Sequence, residues 1–532
     1  MLEVMLILIA ASVAMGLSLR YRVPSIPLMI GTGLLLGIPG WLGNANELQQ
    51  TLQLGLAFLL FVVGSELDID AVGEQKRTAL VFGLVQFALL GTISFGVAIW
   101  LGFGQRGAAY IGLAIAPSST LVVVSLLRRR EQFFESFGRL ALGVVLLQNL
   151  LVILLLPVLT SATTAQGARG VGATLAMALF AWACSRWFAP KLMLHLQRDE
   201  ESLLLVMLAT LFAFVGAAYW LDIPIWSGAF LAGIALSRFP VSGLVRGQLG
   251  SLADFFIAVF FVTLGVLLGA VIGNLHATEV IFNAVLLAAI LLLAPFLLIP
   301  LARRFGLTTR SSIEVTNLLA QSGELSILVV LLGLQYAHID ESVLGTIVLL
   351  TVLTMVISPA ISSDRFTWRI MHLLPGADRK GVSVDRNDHL IFIGCGTSTR
   401  DIIRCAASAG EKIVAVDDDS AVVDQLAEID GVEAIRGDGA DPWLLRRLGL
   451  RDAKLVVSTM RRISDHERLM RLAGDTQVIV RTFEHDAAER LRNCGATVVS
   501  EADEGERVFL EWFDEWSSQS ENHDDSTKGA VV

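Results

Sequence analysis

Residues Gly138–Pro157, GRLALGVVLLQNLLVILLLP, decide how this chain is read. The stretch is apolar at nearly every position and long enough to cross about 30 Å of hydrocarbon as a helix. Its one polar feature is the amide pair Gln148-Asn149, near the middle. Hydrocarbon offers an amide no hydrogen-bond partner, so the pair must face another helix, water or a transported solute. Packed membrane helices often bond to one another through Asn and Gln, and that plainer reading stands beside the functional one.

Comparable apolar stretches fill the first 363 residues, at about 3–20, 24–41, 51–66, 78–102, 108–127, 138–160, 170–190, 202–221, 225–237, 254–273, 278–302, 312–336 and 342–362. This predicts a polytopic α-helical membrane domain of thirteen helices over residues 1–363. Basic residues follow the odd-numbered stretches: Arg20 and Arg22, Lys76 and Arg77, Arg128 to Arg130, Arg186 and Lys191, Arg238 and Arg246, Arg303 and Arg304. After the even-numbered ones stand only Arg106 and Arg169. The positive-inside rule then places the N-terminus outside and everything after the last stretch in the cytoplasm. Met1 to Leu19 has no basic n-region or small-residue cleavage site, so it reads as a first membrane helix rather than a removed signal. Four scattered cysteines, Cys184, Cys395, Cys405 and Cys494, show no metal-ligand spacing and point to a reducing compartment without disulfides.

Two stretches are interrupted. The fifth carries Pro117-Ser118-Ser119-Thr120 and the twelfth Gln321-Ser322-Gly323-Glu324. One such interruption is ordinary packing in a membrane helix. Two at equivalent places, if segments 1–6 and 8–13 are inverted repeats about segment seven, predict broken helices lining the cavity of an alternating-access transporter. The candidate ion pathway is Asn149, Gln148, Ser118, Ser119, Thr120, Gln321, Ser322, Glu324 and Gln86, with Glu66 as an interfacial or gate residue. Their hydroxyl, amide and carboxylate oxygens suit a weakly hydrated monovalent cation, and thiol or imidazole ligands for a transition metal are missing. Asp254 reads as a cap of segment ten.

Beyond a polar linker at 364–387 the chain changes character. From Asp364 onward 22 Lys+Arg stand against 32 Asp+Glu, which is the whole formal charge of −10. Short apolar strands at 389–393, 412–416, 432–435, 455–458, 477–481 and 497–499 alternate with helices, predicting an α/β Rossmann-like domain over 388–513. Residues 514–532 read as a disordered acidic tail. Gly394-Cys-Gly396-Thr397 follows the first strand and opens a helix, the context of a dinucleotide loop. Asp417 ends the second strand, where a carboxylate binds ribose hydroxyls, with Asp419 and Asp438 as further acidic candidates. Thr399 stands where a third glycine belongs, which predicts looser packing of helix on strand. No catalytic His or Cys follows, so the chain does not read as an enzyme, and the nucleotide reads as a regulatory or structural ligand rather than a redox cosubstrate.

Phe58–Leu67, Ala116–Thr120, Gly138–Ala141 with Gln148-Asn149, Gly228–Gly233, Phe260–Gly265 and Ala320–Glu324 resemble the motifs of Kef-type potassium efflux systems, in the second monovalent cation:proton antiporter superfamily. Residues 388–505 resemble that family's potassium-transport nucleotide-binding (RCK N-type) domain. The resemblance implies a homodimer in the lipid of a bacterial inner membrane, K+ as the transported ion, and a moving core of segments 4–6 and 11–13. It also implies gating by an adenine nucleotide, AMP or NAD(H), an ancillary regulatory protein, and no nucleic-acid partner. Relatives read Gln-Asp in segment six, and many carry a Lys in segment eleven. Here the first is Gln148-Asn149 and the second, Leu293-Ala294-Pro295, is neutral. An amide does not titrate, so competition of proton and cation for one carboxylate is lost at position 149. Three readings follow: cation–proton exchange using another acid, uncoupled channel-like efflux, or a non-transporting nucleotide sensor on a membrane anchor.

Overall fold

The computed structural model describes the chain except residues 1, 22–24, 38–44, 66–75, 130–134, 192–199, 239–240, 273–276, 374–387, 483–484 and 529–532. Glu66 therefore lies outside the described residues. The chain forms two compact units, Met1–Ala302 with Ser312–Ile370, and Arg303–Ser311 with Met371–Val532.

The first unit is all helix. Its described elements are α1 (Leu2–Tyr21), α2 (Ser25–Gly37), α3 (Ala45–Ser65), α4 (Lys76–Trp100), α5 (Gln105–Ile115), α6 (Thr120–Arg129), α7 (Ser136–Thr160), α8 (Thr164–Ala183), α9 (Glu200–Trp220) and α10 (Ile225–Ala235). They continue with α11 (Val241–Ile272), α12 (Ala277–Ala288), α13 (Ala294–Arg304), α14 (Thr309–Leu319), α15 (Glu324–Gln335), α16 (Glu341–Ile361) and α17 (Asp364–Leu373). Helix lies at each apolar stretch marked above, and α5/α6 and α14/α15 are the two interrupted ones. Among the described residues, six helical stretches, counting α5 with α6 and α14 with α15 as one each, are long and apolar enough by themselves to cross a membrane. Wide turns of π type at Cys184–Phe188 and Ala289–Leu293 extend α8 and join α12 to α13. The second precedes Pro295, whose missing N–H and ring clash oppose a regular turn there. One expectation changes. Asp254 lies inside the long helix α11 rather than capping it, because the helical run begins thirteen residues earlier at Val241. The polar linker starts as the helix α17.

Helix pairing follows the repeat. Helix α2 packs on α11 and α3 on α10, pairs that an exchange of the two halves would interchange; α4 on α7 and α12 on α16 form a second such set. The first set meets backbone to backbone. A Cβ on Gly33 would lie 2.0 Å from the Val262 carbonyl oxygen, and one on Gly265 would lie 2.1 Å from that of Ile30. Gly64 and Gly233 do the same for α3 and α10, each 2.1 Å from a carbonyl of the facing helix. Small residues let membrane helices gain dispersion contact where lipid offers no hydrophobic drive between them.

The second unit holds a six-stranded parallel sheet in the order β3-β2-β1-β4-β5-β6. The strands are β1 (Leu390–Ile393), β2 (Ile413–Asp417), β3 (Val432–Arg436), β4 (Leu455–Ser458), β5 (Val478–Thr482) and β6 (Thr497–Ser500). In register, Phe392 stands beside Ala415 and Val457. Alternate side chains fill two cores: Ile391, Ile393, Val414 and Val416 on one face, Phe392, Ile413 and Ala415 on the other. Covering helices are α18 (Thr397–Ser408), α19 (Ser420–Ala427), α20 (Pro442–Arg447), α21 (Ile463–Ala473) and α22 (His485–Asn493). The last helix, α23, runs from Glu501 to Lys528 through the polar segment that composition reads as irregular. Chain order reverses between β1 and β4, which puts the ligand crevice at their carboxyl ends.

If the glycine seams hold the first unit together, Gly265→Ala should force α2 and α11 apart. It should cost about 1–3 kcal/mol, the range for overpacking, and lower the melting temperature of detergent-solubilised protein. Gly16→Ala on α1, where an added Cβ meets nothing within 4 Å, is the neutral control.

Candidate functional site

An interrupted membrane helix leaves backbone N–H and C=O groups that water cannot satisfy. Here each break is closed by side chains of the other break, of α4 and α7, and of its own residues. Carbonyls at the end of α14 are taken up by side chains: Leu319 O accepts from Ser118 Oγ at 2.8 Å and Gln86 Nε2 at 3.3 Å. Leu318 O accepts from Gln321 Nε2 at 3.1 Å. Amides of the first break find acceptors in turn. Ser118 N–H donates to Gln148 Oε1 at 2.9 Å, and Thr120 N–H, opening α6, donates to Glu324 Oε1 at 3.2 Å. Ser119 Oγ donates to Glu324 Oε2 at 2.8 Å, and Asn149 Nδ2 donates to Thr120 Oγ1 at 2.8 Å. Gln86 Nε2 also reaches Ser118 Oγ at 3.2 Å. The two breaks touch: a Cβ on Gly323 would lie 3.0 Å from both Cα and N of Ser119.

The structure thus brings Gln86, Ser118, Ser119, Thr120, Gln148, Asn149, Gln321 and Glu324 to one crossing, each at most 2% exposed. Ser322 is turned aside. Its N–H donates to Thr354 Oγ1 at 3.1 Å and its hydroxyl lies 2.7 Å from Ser326 Oγ, with Thr351 beyond at 3.4 Å. Ser326, Thr351 and Thr354 escaped the sequence reading. The spacing of Thr351 and Thr354 on one face of an apolar helix was the available signal. The Glu324 carboxylate lies at the N-termini of α6 and of its own helix α15, where unpaired N–H groups favour an anion. Three buried amide atoms at the crossing lack partners, Gln86 Oε1, Gln321 Oε1 and Gln148 Nε2. Two of them are oxygens free to coordinate a cation. The conformation is occluded: the crossing residues are packed away from solvent, and the apolar groove of about 320 Å³ nearby is lined by other residues, among them Phe87, Gly91, Gly112 and Leu155.

In the second unit Gly394 takes φ +77°, the left-handed region that suits glycine, and an added Cβ would press on Thr459 and Met460 at 3.2 Å. Asp417 closes the loop. Its Oδ2 accepts from Cys395 N–H at 2.6 Å and its Oδ1 from Asp419 N–H at 2.9 Å. Burial raises its pKa above the ordinary 3.8, with those bonds opposing. Each oxygen keeps a second lone pair for a ribose hydroxyl. Gly396 is exposed at the start of α18, and an added Cβ there meets nothing within 4 Å, so a phosphate has room to approach. Thr397 is the first residue of that helix. Asp419 caps α19, accepting from Ala421 N–H at 3.0 Å, and Asp438 accepts from Ala440 N–H at 2.9 Å. Thr399 corrects the expected loose packing. It is buried, with its hydroxyl 3.3 Å from Thr459 Oγ1 and 3.5 Å from Gly394 O, so threonine ties the loop to the helix where a glycine would only pack.

Residues 6–363 match the family described as sodium/hydrogen exchanger, transmembrane. The chain belongs to that family. It is a cation:proton antiporter, a transporter and not an enzyme, and residues 390–501 match the TrkA-N domain. The chain is 28% identical over 377 residues to the iron transporter MagA of Paramagnetospirillum magneticum, covering 69% of this chain and 85% of that one. Its fold matches the sodium proton antiporter MjNhaP1 of Methanocaldococcus jannaschii, with a TM-score of 0.51 at 14% identity over 69% of this chain and 96% of that one. The TrkA-N domain of the Escherichia coli inner membrane protein ybaL aligns with 24% of this chain and 98% of its own, at 23% identity and a TM-score of 0.23.

Two substitutions test the geometry. Gly323→Ala should drive the breaks apart and destabilise the membrane domain by about 1–3 kcal/mol, read as a lowered unfolding midpoint. Asp417→Asn should put an amide N–H against the Cys395 or Asp419 N–H. Nucleotide affinity, measured by calorimetry, should fall by more than tenfold, about 1.4 kcal/mol. For the unmodified protein affinity should weaken on acidification, starting above pH 3.8 because the carboxylate protonates early.

Proposed function

We propose that this antiporter exchanges K+ for protons and that Glu324, rather than residue 149, carries the proton. The observation behind this is the Glu324 carboxylate spanning the crossing to Ser119 and Thr120. Asn149 donates to Thr120 and has no proton to exchange. Among the described residues Glu324 is the carboxylate in hydrogen-bond contact with both breaks. When it is ionised, its oxygens with Gln86 Oε1 and Gln321 Oε1 offer an all-oxygen donor set, which favours an alkali cation over a transition metal. Among the described residues no group of three His, Cys, Asp or Glu side chains gathers as a metal would need. Protonation of Glu324 removes the charge that holds the cation, and this competition couples the two fluxes.

Segments 1–363 would form the transport domain of a homodimer in a bacterial inner membrane, with the N-terminus outside. Residues 388–513 would bind AMP or NAD(H) through Gly394, Gly396, Thr397 and Asp417, and so gate transport. Asp419 and Asp438, being occupied in turns, would shape that loop rather than touch the ligand.

Cation-dependent proton flux in proteoliposomes tests this reading, with K+, Na+ and Fe2+ each supplied alone. Wild type should exchange K+ for protons. Glu324→Gln should lose more than about tenfold of that flux, in keeping with about 1.5–3 kcal/mol for a hydrogen bond to a charged group. Asn149→Asp should add a second titrating step to the pH profile. Exchange that survives Glu324→Gln unchanged would remove Glu324 from the mechanism, and K+ leak without proton movement would establish the channel-like alternative. Flux driven by Fe2+ but not K+ would make the iron transporter the better guide to substrate.

A further inference from the structure

The half-helices α5 and α15 run from the crossing to the end of the membrane unit at which α16 begins. There a chain of hydrogen bonds joins three elements. Tyr110 on α5 is buried, and its O–H donates to Leu159 O at 3.1 Å. That carbonyl lies in the last turn of α7 and has no partner within its helix. His338, in the turn after α15, sets Nδ1 3.0 Å from Tyr110 Oη. With the tyrosine proton on Leu159 and Arg106, which can only donate, beside Nε2, the tautomer that satisfies every partner carries its hydrogen on His338 Nδ1 and donates it to Tyr110. Its Nε2 is then the bare acceptor, 3.4 Å from Arg106 Nη1. The chain reads in one direction, Arg106 to His338 to Tyr110 to Leu159, and is complete only with a neutral imidazole.

The backbone around it is built for the purpose. Ala337 is held at φ +53°, unfavourable for a residue with a Cβ, while His338 N–H reaches back to Gly333 O at 2.8 Å. Gly333 leaves room for Tyr110: a Cβ there would lie 2.9 Å from the ring. Among the described residues Tyr336 also lies against the imidazole, its ring stacked with centroids 6.1 Å apart. Asp340 and Glu341 follow in the same turn and are exposed.

We propose that Arg106, His338 and Tyr110 form a pH-sensitive clasp between the two half-helices, closed at both ring nitrogens while the imidazole is neutral and held by the Tyr110 bond alone when it is protonated. A proton on Nε2 would face the Arg106 guanidinium, replacing an accepted hydrogen bond with a donor–donor contact and a like-charge pair. Burial and Arg106 both lower the His338 pKa below 6.5. The Arg106 arm of the clasp is therefore present at neutral and alkaline pH and is lost as pH falls through that depressed value, which loosens the tie between the half-helices. By the distribution of loop charge this end faces outside, so the proton read is the external one. The inference does not depend on Glu324 being the proton carrier.

The test uses the full-length protein in liposomes, with its four cysteines replaced and spin labels at Gln105→Cys and Gln335→Cys, both exposed positions. At pH 8 the label distance should be short and narrowly distributed; at pH 5 it should lengthen and broaden. His338→Gln, which cannot take a charge, should give one distribution at both pH values. Arg106→Gln should move the midpoint upward, toward the 6.5 of an ordinary imidazole. A wild-type distribution that ignores pH, a pH response that persists in His338→Gln, or an unmoved midpoint in Arg106→Gln would each overturn the proposal. Because the readout is a distance, it stands or falls separately from any measurement of flux.

Discussion

Hydrocarbon will not hydrogen-bond to an open backbone, and everything in the membrane unit follows from that constraint. Two helices are interrupted by Pro117 and Gly323, and the groups they release are satisfied at Ser118, Thr120 and Leu319 by side chains from α4, α7 and the opposite break, and at Leu318 by Gln321 of its own break. The same side chains that complete the fold are the polar groups available to an ion. On the proposed mechanism, stability and transport chemistry are therefore not separable at this crossing, and a change of residue here alters both.

Charge is distributed unusually. Thr120 N–H, at the positive end of α6, meets the carboxylate of Glu324, which itself starts α15, so one anion serves two helix ends. A structural role for Glu324 as a dipole partner and a transport role as a titrating group draw on the same contacts. What separates them is motion of the proton, since a dipole partner stays ionised throughout and a carrier does not. With Asn149 committed to Thr120, no second carboxylate touches both breaks among the described residues, so on the proposed mechanism Glu324 acts alone.

Much of this was legible beforehand. Apolar runs placed the helices because hydrocarbon thickness sets their length, and Pro117 and Gly323 marked the breaks because backbone chemistry leaves few alternatives. Strand–glycine–helix order and the charge shift after Asp364 placed the Rossmann-like unit. Long-range partners were less visible. Nothing local in the sequence links Gln86 to Leu319, or His338 to Tyr110 across more than two hundred residues. Thr399 misled because absence of a glycine says only that a Cβ is present, not that its hydroxyl has found Thr459. Asp254 misled because hydropathy marks where a helix enters apolar surroundings, and α11 begins well before that.

The glycine seams between α2 and α11 and between α3 and α10 have a mechanical consequence. Side-chain interfaces can slide, because rotamers re-seat ridge by ridge; backbone pressed on backbone has no rotamers to re-seat. With Gly33 against Val262 and Gly64 against Phe230, neither pair has a compliant layer. Each pair must therefore translate or tilt as one piece. Any relative movement within the membrane unit is pushed out to interfaces cushioned by leucine, valine and phenylalanine, which is where lubricated motion between rigid bodies would be sought.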